Sequence, residues 1–324
     1  MQGLGQIRPV DPILTSFGLE YRQNQSRFAA DLVAPFVQTA GDTGTYYIAD
    51  PLNNLRNEDP AWGYNGKASR VDARFTSAAF KALKYGFETL VGDDDRRNWL
   101  GGGAQLDQRA TSMLTDKLLL NREIRVEALC DGVSPTNVSM KWDQATSAPR
   151  YDVKLHNAII AKRIGRDANV AVIPGVVWDL ITGIQTAGTA GGLIIDAIKY
   201  TQRATGEVIT PDLVAAYFGL ERVGVASSIQ SDATKYETTT VPGGAGLPEA
   251  GTYVWDKDEV YLMYSDFSPG PQTVSAFQTF GPTVLSVDRY REESTEADII
   301  RAKSICVEKA TCTTAISVLG DIIT

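Results

Sequence analysis

From Val71 the chain alternates apolar and polar positions: Val71, Ala73 and Phe75, then Phe80, then Leu83, Tyr85 and Phe87. A period of two puts the apolar set on one face of a strand. The phase slips between Phe75 and Phe80, so the pattern predicts two strand segments joined by a bulge or bend. Residues 41–69, just ahead, are rich in Gly, Asn, Asp and Pro, and Asn65-Gly66 is a strong turn signal. The stretch 42–90 thus predicts a long, projecting β-hairpin, which is marginal alone in water and calls for a partner. Residues 1–40 are weakly periodic, with prolines at 9, 12 and 35. They predict an extended arm with a short helix near 25–32, ordered by lying over a neighbouring surface.

After the segment GDDDRRNWLGGGAQL the period changes to that of a helix. Leu106, Ala110, Met113, Leu120, Ile124 and Ala128 recur at helical spacing, flanked by Leu114 and Leu118. They predict one long helix near 104–130, roughly 39 Å in length. Asp107, Arg109, Asp116, Arg122, Glu123, Arg125 and Glu127 are expected on its solvent face. Lys117 interrupts any coiled-coil seam, so the helix is expected to lie along a sheet. Asp152 is expected to cap a second helix, 153–165, with Leu155, Ile159 and Ile160 inward. The buried strand NVAVI follows, then helices around Val177 to Ile181, over 193–203, and from Pro211 to a stop at Gly219. LERVGVAS, YVW, DEVYLMYS, 277–280 and 283–291 read as extended, with a polar, Gly-rich loop over 229–252. The tail DIIRAKSICVEKATCTTAISV reads as two long strands. This order predicts an α+β architecture, α/β in the middle and β-rich at both ends.

Composition narrows the function. The chain has 324 residues, 43% hydrophobic and 22% charged, with a net charge of −8, which argues against a dedicated nucleic-acid binder. No run of about 18 apolar residues and no secretory leader are evident, so a soluble, cytoplasmically made protein without a membrane partner is expected. Cys130, Cys306 and Cys312 are scattered and read as reduced core thiols. The single histidine, His156, is expected on a helix surface, and its isolation removes most hydrolytic and proton-shuttling mechanisms. Asp93-Asp94-Asp95 reads as a solvated turn paired with Arg96 and Arg97 in preference to a cation site. The glycine clusters at 101–103 and 243–246 lack the trailing Lys-Ser/Thr of a phosphate loop. No catalytic residue, cofactor or metal site is expected, and the chain is not read as an enzyme. Trp62 and Tyr64 in the hairpin are either interface anchors or locally packed. Together with Lys67, Phe75, Arg96 and Arg97 they form the candidate set of inter-subunit contacts.

Three motifs carry a resemblance. Gly165-Arg166-Asp167-Ala168-Asn169 leads into VAVI and a helix bearing Trp178 and Leu180. Thr210-Pro211-Asp212-Leu213-Val214-Ala215-Ala216-Tyr217-Phe218-Gly219-Leu220-Glu221-Arg222-Val223 gives helix, glycine stop and strand. Val254-Trp255 precedes Glu259-Val260-Tyr261-Leu262-Met263-Tyr264 and a turn at Pro269 and Pro271. In this order the run 151–281 resembles the central domain of tailed-bacteriophage major capsid proteins, the Hong Kong 97-like capsid fold. The resemblance implies an N-terminal arm (1–40), an extended β-hairpin loop (41–90), a peripheral domain (91–150 and 282–324) with a spine helix at 104–130, and an α/β axial domain (151–281). It implies a subunit that assembles into pentamers and hexamers, forming the icosahedral head of the virion around double-stranded DNA. A portal protein and a decoration protein are partners of the same kind. Because no long extension precedes the arm, a separate scaffolding protein is expected. The acidic balance fits a shell that encloses DNA without specific binding.

The family includes members that crosslink a lysine to an asparagine, and Lys67 beside Asn65 is the candidate here, without an identifiable partner. An encapsulin-type bacterial nanocompartment shell is the alternative within the fold. A carboxylate-pair hydrolase such as a glycosidase is the alternative outside it, though no carboxylates sit in a recognisable catalytic context.

Overall fold

The computed structural model describes residues 10–23, 25–57, 60–61, 64, 66–68, 76–144, 147–182, 209–231, 251–268, 270 and 273–323. Helix α1 (Pro12–Gln23) starts at a proline, and the Asp11 carboxylate accepts the exposed N–H groups of Ile13 and Leu14 at 3.0 and 3.1 Å. A four-residue helix α2 (Ala30–Val33) and strand β1 (Phe36–Gln38) follow. This part of the presumed arm is not loose. Leu14, Ala29, Ala30, Val33, Ala34 and Val37 are all buried against their own chain. The short helix α2 overlaps the end of the predicted 25–32, and the longer α1 ahead of it was not anticipated. Leu14, Phe17, Gly18 and Tyr21 share one face at three- and four-residue spacing, and Leu14 and Gly18 on that face are buried.

Strand β2 (Thr43–Ile48), the short helix α3 (Pro51–Asn54) and strand β3 (Thr76–Lys81) come next. β2 and β3 pair antiparallel from Thr43 opposite Lys81 to Ile48 opposite Thr76. The ribbon's last rung is the Ala82 N–H donating to the Asp42 carbonyl at 2.7 Å. Beyond Ala82 the chain leaves the ribbon as β4 (Leu83–Gly92), so the hairpin ends near 81 and not at 90. Val71, Ala73 and Phe75, the start of the predicted alternation, lie outside the described residues. Helix α4 (Asp93–Asn98) leads to α5 (Gly103–Asp131), 29 residues and about 43 Å long.

The face of α5 is rotated from the prediction. Ala110, Leu114, Leu118, Leu119, Val126 and Cys130 are buried, whereas Met113 and Ile124 point outward. Asp107, Arg122 and Glu123, expected in solvent, are buried as well. Burial of a charge requires partners that replace water, and each has them, as described below.

The remaining elements are β5 (Thr136–Asn137), α6 (Pro149–Ile164), β6 (Val170–Pro174), α7 (Gly175–Thr182), α8 (Pro211–Phe218), β7 (Arg222–Ala226), β8 (Ile229–Gln230), β9 (Thr252–Tyr253), β10 (Val260–Met263), β11 (Phe277–Glu292), β12 (Ala297–Ala310) and β13 (Ile316–Gly320). Asp152 does not cap α6. It sits in the first turn and accepts a 3.1 Å hydrogen bond from the Trp142 indole, while Leu155 is exposed and Val153, His156, Ile160 and Ile164 face inward. Gly165 and Gly219 end α6 and α8 at φ 72° and 76°, the left-handed region that favours glycine. The helix predicted over 193–203 lies outside the described residues.

Two larger sheets result. One runs β1-β11-β12-β4, with α1 and α5 packed on it; the other runs β5-β13-β10-β6-β7. β13 is antiparallel to β10, so the C-terminal strand completes the sheet of the 151–281 region, and β5 extends it further. A boundary at 281/282 therefore cuts through one sheet. The fully buried apolar run Ile316, Val318 and Leu319 explains the placement, because only a sheet covered on both faces accepts it. α5 bridges the two halves: Leu114 and Leu118 join the cluster with Leu14, Leu285, Val287 and Ile300, and Val126 and Cys130 reach the main core around Trp255, Tyr261 and Phe277.

Candidate inter-subunit surface

The base of the hairpin is held by aromatic packing. Tyr46 of β2 and Phe80 of β3 both contact the ring of Phe280 on β11, at 5.3 and 5.1 Å between centroids, with Val37 of β1 completing the cluster. Tyr64, further along the hairpin, is fully exposed and Lys67 is exposed too. Trp62, Asn65 and Phe75 lie outside the described residues.

Arg96 and Arg97 sit apart from the hairpin, on α4, and only one of them is available. Arg96 is engaged within the chain, with Asp107 at 2.5 Å and Asp298 at 3.1 Å, which removes it from the contact set. Arg97 is exposed and pairs with Asp94 at 3.4 Å. Asp93 pairs instead with Arg291, both guanidinium ends at 2.6 Å. Two of the three aspartates are thus committed to arginines, and among the described residues no cluster of His, Cys, Asp and Glu could hold a metal ion.

Sequence reasoning missed the margin of β4. This ten-residue strand is the last in its sheet, and among the described residues no strand pairs with its outer edge. Leu83, Phe87 and Leu90 on β4, Trp99 and Leu100 after α4, and Met113 on α5 are all exposed. Leu90, Trp99 and Met113, with Leu106 and Ala110, line a groove of about 570 Å³ rimmed by Asp95 and Arg109. The signal was present in Trp99-Leu100, two large apolar residues between an acidic turn and three glycines.

Beneath this surface, ion pairs tie the chain's N-terminal part to α5 and the strands. The buried Glu123 carboxylate accepts the N–H groups of Ala29 and Ala30, both at 2.9 Å, and the Trp255 indole N–H at 2.7 Å. Arg122 donates to Asp31, to the Ala34 carbonyl at 2.8 Å and to Thr279 Oγ1 at 3.2 Å. Arg125 forks onto Glu308 at 2.9 and 3.0 Å. Asp288 on β11 accepts from Arg301 at 2.9 Å and Lys303 at 2.7 Å. Burial pushes the Asp288 and Glu308 carboxyls upward, but their bonded cations outweigh it and hold both below the usual range. Asp31 is raised by burial and pulled down further by Arg122 and Arg22, to about 2. Glu123 goes the other way: burial raises it, and its three hydrogen bonds only partly offset that.

A depressed carboxylate contributes stability that is full above its unfolded-state pKa and lost as pH falls through the folded-state value. Glu123, being raised, contributes most below its unfolded-state pKa and less as pH rises through the folded one. Asp93, bonded to Arg291, is depressed too, while burial also raises Asp107 and Glu127, so four depressed acids stand against three raised ones. The urea midpoint of the chain is therefore expected to hold near neutrality and fall between pH about 4 and about 2. Asp288→Asn should flatten part of that fall; an unchanged acid limb in this variant would count against the assignment.

His156 is not on the surface. It is 3% exposed, its Nδ1 lies 2.8 Å from Ser317 Oγ, and burial lowers its pKa. Cys130, Cys306 and Cys312 are buried free thiols. Among the described residues no helix is long and apolar enough to cross a membrane.

No protein-family model and no curated protein matches the sequence. Among solved structures, the chain is similar to a phage-related protein from Bordetella bronchiseptica RB50, with TM-score 0.70 and 17% identity over 98% of this chain and 99% of that one. It also aligns with a virus-like particle from Pyrococcus furiosus, at TM-score 0.49 and 12% identity over 95% and 97% of the two chains. A third alignment is with Mycobacterium phage Che8, at 0.42 and 14% over 88% and 86%. The fold is the α+β Hong Kong 97-like capsid fold that the sequence resemblance implied.

Proposed function

We propose that the chain is the major capsid protein of a tailed bacteriophage, a structural subunit that builds the virion head through many copies of itself. The observation that carries this reading is the uncovered edge of β4 with its apolar margin: Leu83, Phe87, Leu90, Trp99, Leu100 and Met113. A long apolar edge strand left open promotes uncontrolled aggregation, and soluble proteins normally cover or charge such edges. Repeated copies covering one another's margins resolve this, and multivalency lets individually modest contacts close a stable shell. In this reading the hairpin, with Tyr64 at full exposure, reaches over a neighbouring subunit. The 151–281 region, completed by β5 and β13, surrounds the five-fold and six-fold axes, and α5 with β4, β11 and β12 forms the outer part. Pentamers and hexamers enclose double-stranded DNA without gripping it. A separate scaffolding protein, a portal and a decoration protein are the expected partners, and no cofactor takes part.

Negative-stain microscopy of the expressed full-length chain tests the reading. Closed polyhedral shells are expected; monodisperse monomers at high concentration would overturn it. Shells that purify with an enzyme cargo in place of DNA would instead favour the encapsulin-type alternative. The double variant Leu90→Glu, Leu100→Glu should leave the subunit's circular dichroism unchanged, since both side chains are exposed, yet shift sedimentation from shells to subunits. Losing a central apolar contact costs about 2 kcal/mol at each interface, and a shell repeats that loss many times. Tyr64→Ala is expected to act in the same direction, more weakly. An inter-subunit crosslink through Lys67 is not expected to form, and a denaturing gel of mature particles should show monomer.

A further inference from the structure

A small cavity lies where α1, α5 and the β11–β12 pair meet. Its volume is about 30 Å³, and among the described residues its walls include Arg22, Arg122 and Arg125 but no carboxylate. Thr115, Ser304 and Cys306 add two hydroxyls and a thiol. The acids that touch these arginines are not among its walls, and Asp31 is exposed to solvent. Asp31 takes Arg22 at 2.6 Å and also Arg122, and Glu308 takes Arg125. Glu123, the nearest further acid on α5, spends its oxygens on Ala29, Ala30 and Trp255. Three guanidinium groups thus share two carboxylates.

Two features follow from that excess. The Nε of Arg122 is buried and makes no hydrogen bond; the nearest acid, Glu308, is 3.9 Å away. Arg122 is only 6% exposed, so an unmet donor there carries a real cost. Burial, aggravated by the nearby Arg122 charge, pulls the pKa of Arg22 down despite its bond to Asp31. Thr115 already donates to the Thr111 carbonyl at 2.8 Å, so the surplus positive charge and the unmet N–H are what suit this half-open site to an anion. The volume has room for one or two water-sized species, so a monatomic ion fits and a tetrahedral oxyanion does not.

We propose that this cavity binds a single chloride ion, which balances the charge of the seam joining the N-terminal helices to α5. The inference is independent of the shell reading and concerns the stability of each subunit. Thermal unfolding of the full-length chain is compared in sodium chloride, sodium bromide and sodium gluconate at matched ionic strength. Tm should rise saturably by a few degrees with either halide and not with gluconate, as expected of a ligand that binds only the folded state. Arg22→Gln, at the outer wall, should abolish the halide response. Crystals grown in bromide should show an anomalous peak in contact with Arg122, a measurement that does not depend on any variant folding. Equal Tm in halide and gluconate would overturn the proposal, since screening alone would then account for every salt effect. So would a bromide-free cavity in such crystals.

Discussion

Replacing Gly281 with alanine should destabilise the subunit by about 3 kcal/mol or more, although the change adds a single methyl. A Cβ at this position would sit 2.0 Å from the Ile305 carbonyl oxygen and 2.9 Å from the Cys306 Cα. Both are backbone atoms of the paired strand β12, so no side-chain rotation relieves the clash. The strands must separate, at a point where the β11–β12 register already shifts between Phe280 and Thr283. Gly281 also pairs with Gln38 of β1, and its carbonyl accepts the Thr39 N–H at 3.0 Å. The damage would spread to the Tyr46–Phe80–Phe280 cluster that holds the hairpin base. Urea unfolding of Gly281→Ala beside Gly41→Ala gives a direct comparison. A Cβ at Gly41 meets nothing closer than 4.0 Å, so that variant should stay within about 0.5 kcal/mol of the parent. Equal midpoints for the two would refute the close approach of β11 and β12.

Glu123→Ala is expected to cost about 4 kcal/mol. The change leaves three buried donors without acceptors: the Ala29 and Ala30 amides and the Trp255 indole. These belong to segments far apart in sequence, so the loss should be both global and specific. Amide exchange at Ala29 and Ala30 should accelerate more than exchange in β6 or β10, because α2 loses its hold on α5 first. Glu123→Gln keeps one acceptor oxygen and should fall between parent and alanine variant. The exposed Asp94→Ala serves as the neutral control. Uniform acceleration of exchange across the chain would show that Glu123 stabilises the fold in general without docking the N-terminal segment.

These two positions also mark the limit of what the chain's pattern reveals. Period alone located α5 to within a residue or two, because a 29-residue amphipathic helix repeats its signal many times. It misplaced the inward face, since an apolar count assigns every charge to solvent. Asp107, Arg122 and Glu123 are inside because Arg96, Asp31, Ala29, Ala30 and Trp255 come to meet them, and no local pattern announces such partners. The hairpin's extent failed similarly: Phe80 and Leu83 are only three residues apart in the chain, but β3 pairs with β2 and β4 with β12. Of the proposed contact residues, Tyr64, Lys67 and Arg97 remain exposed, Arg96 is drawn into the chain, and the β4 margin was not anticipated. Exposure of Leu90 or Met113 follows from what fails to cover them, which sequence spacing does not record.

By itself the sequence determined the elements whose cause is local. Glycine stops at Gly165 and Gly219 need only a left-handed residue. The all-apolar strand Val170–Pro174 needs only its own composition to demand burial on both faces. The order of motifs then sufficed to indicate the capsid fold. Tertiary structure alone decided which charges are buried, where the hairpin ends, that Ile316–Gly320 completes the sheet of the 151–281 region, and which apolar side chains stay uncovered. Each of these depends on contacts between segments distant in the chain, and their energies exist only once the segments are brought together.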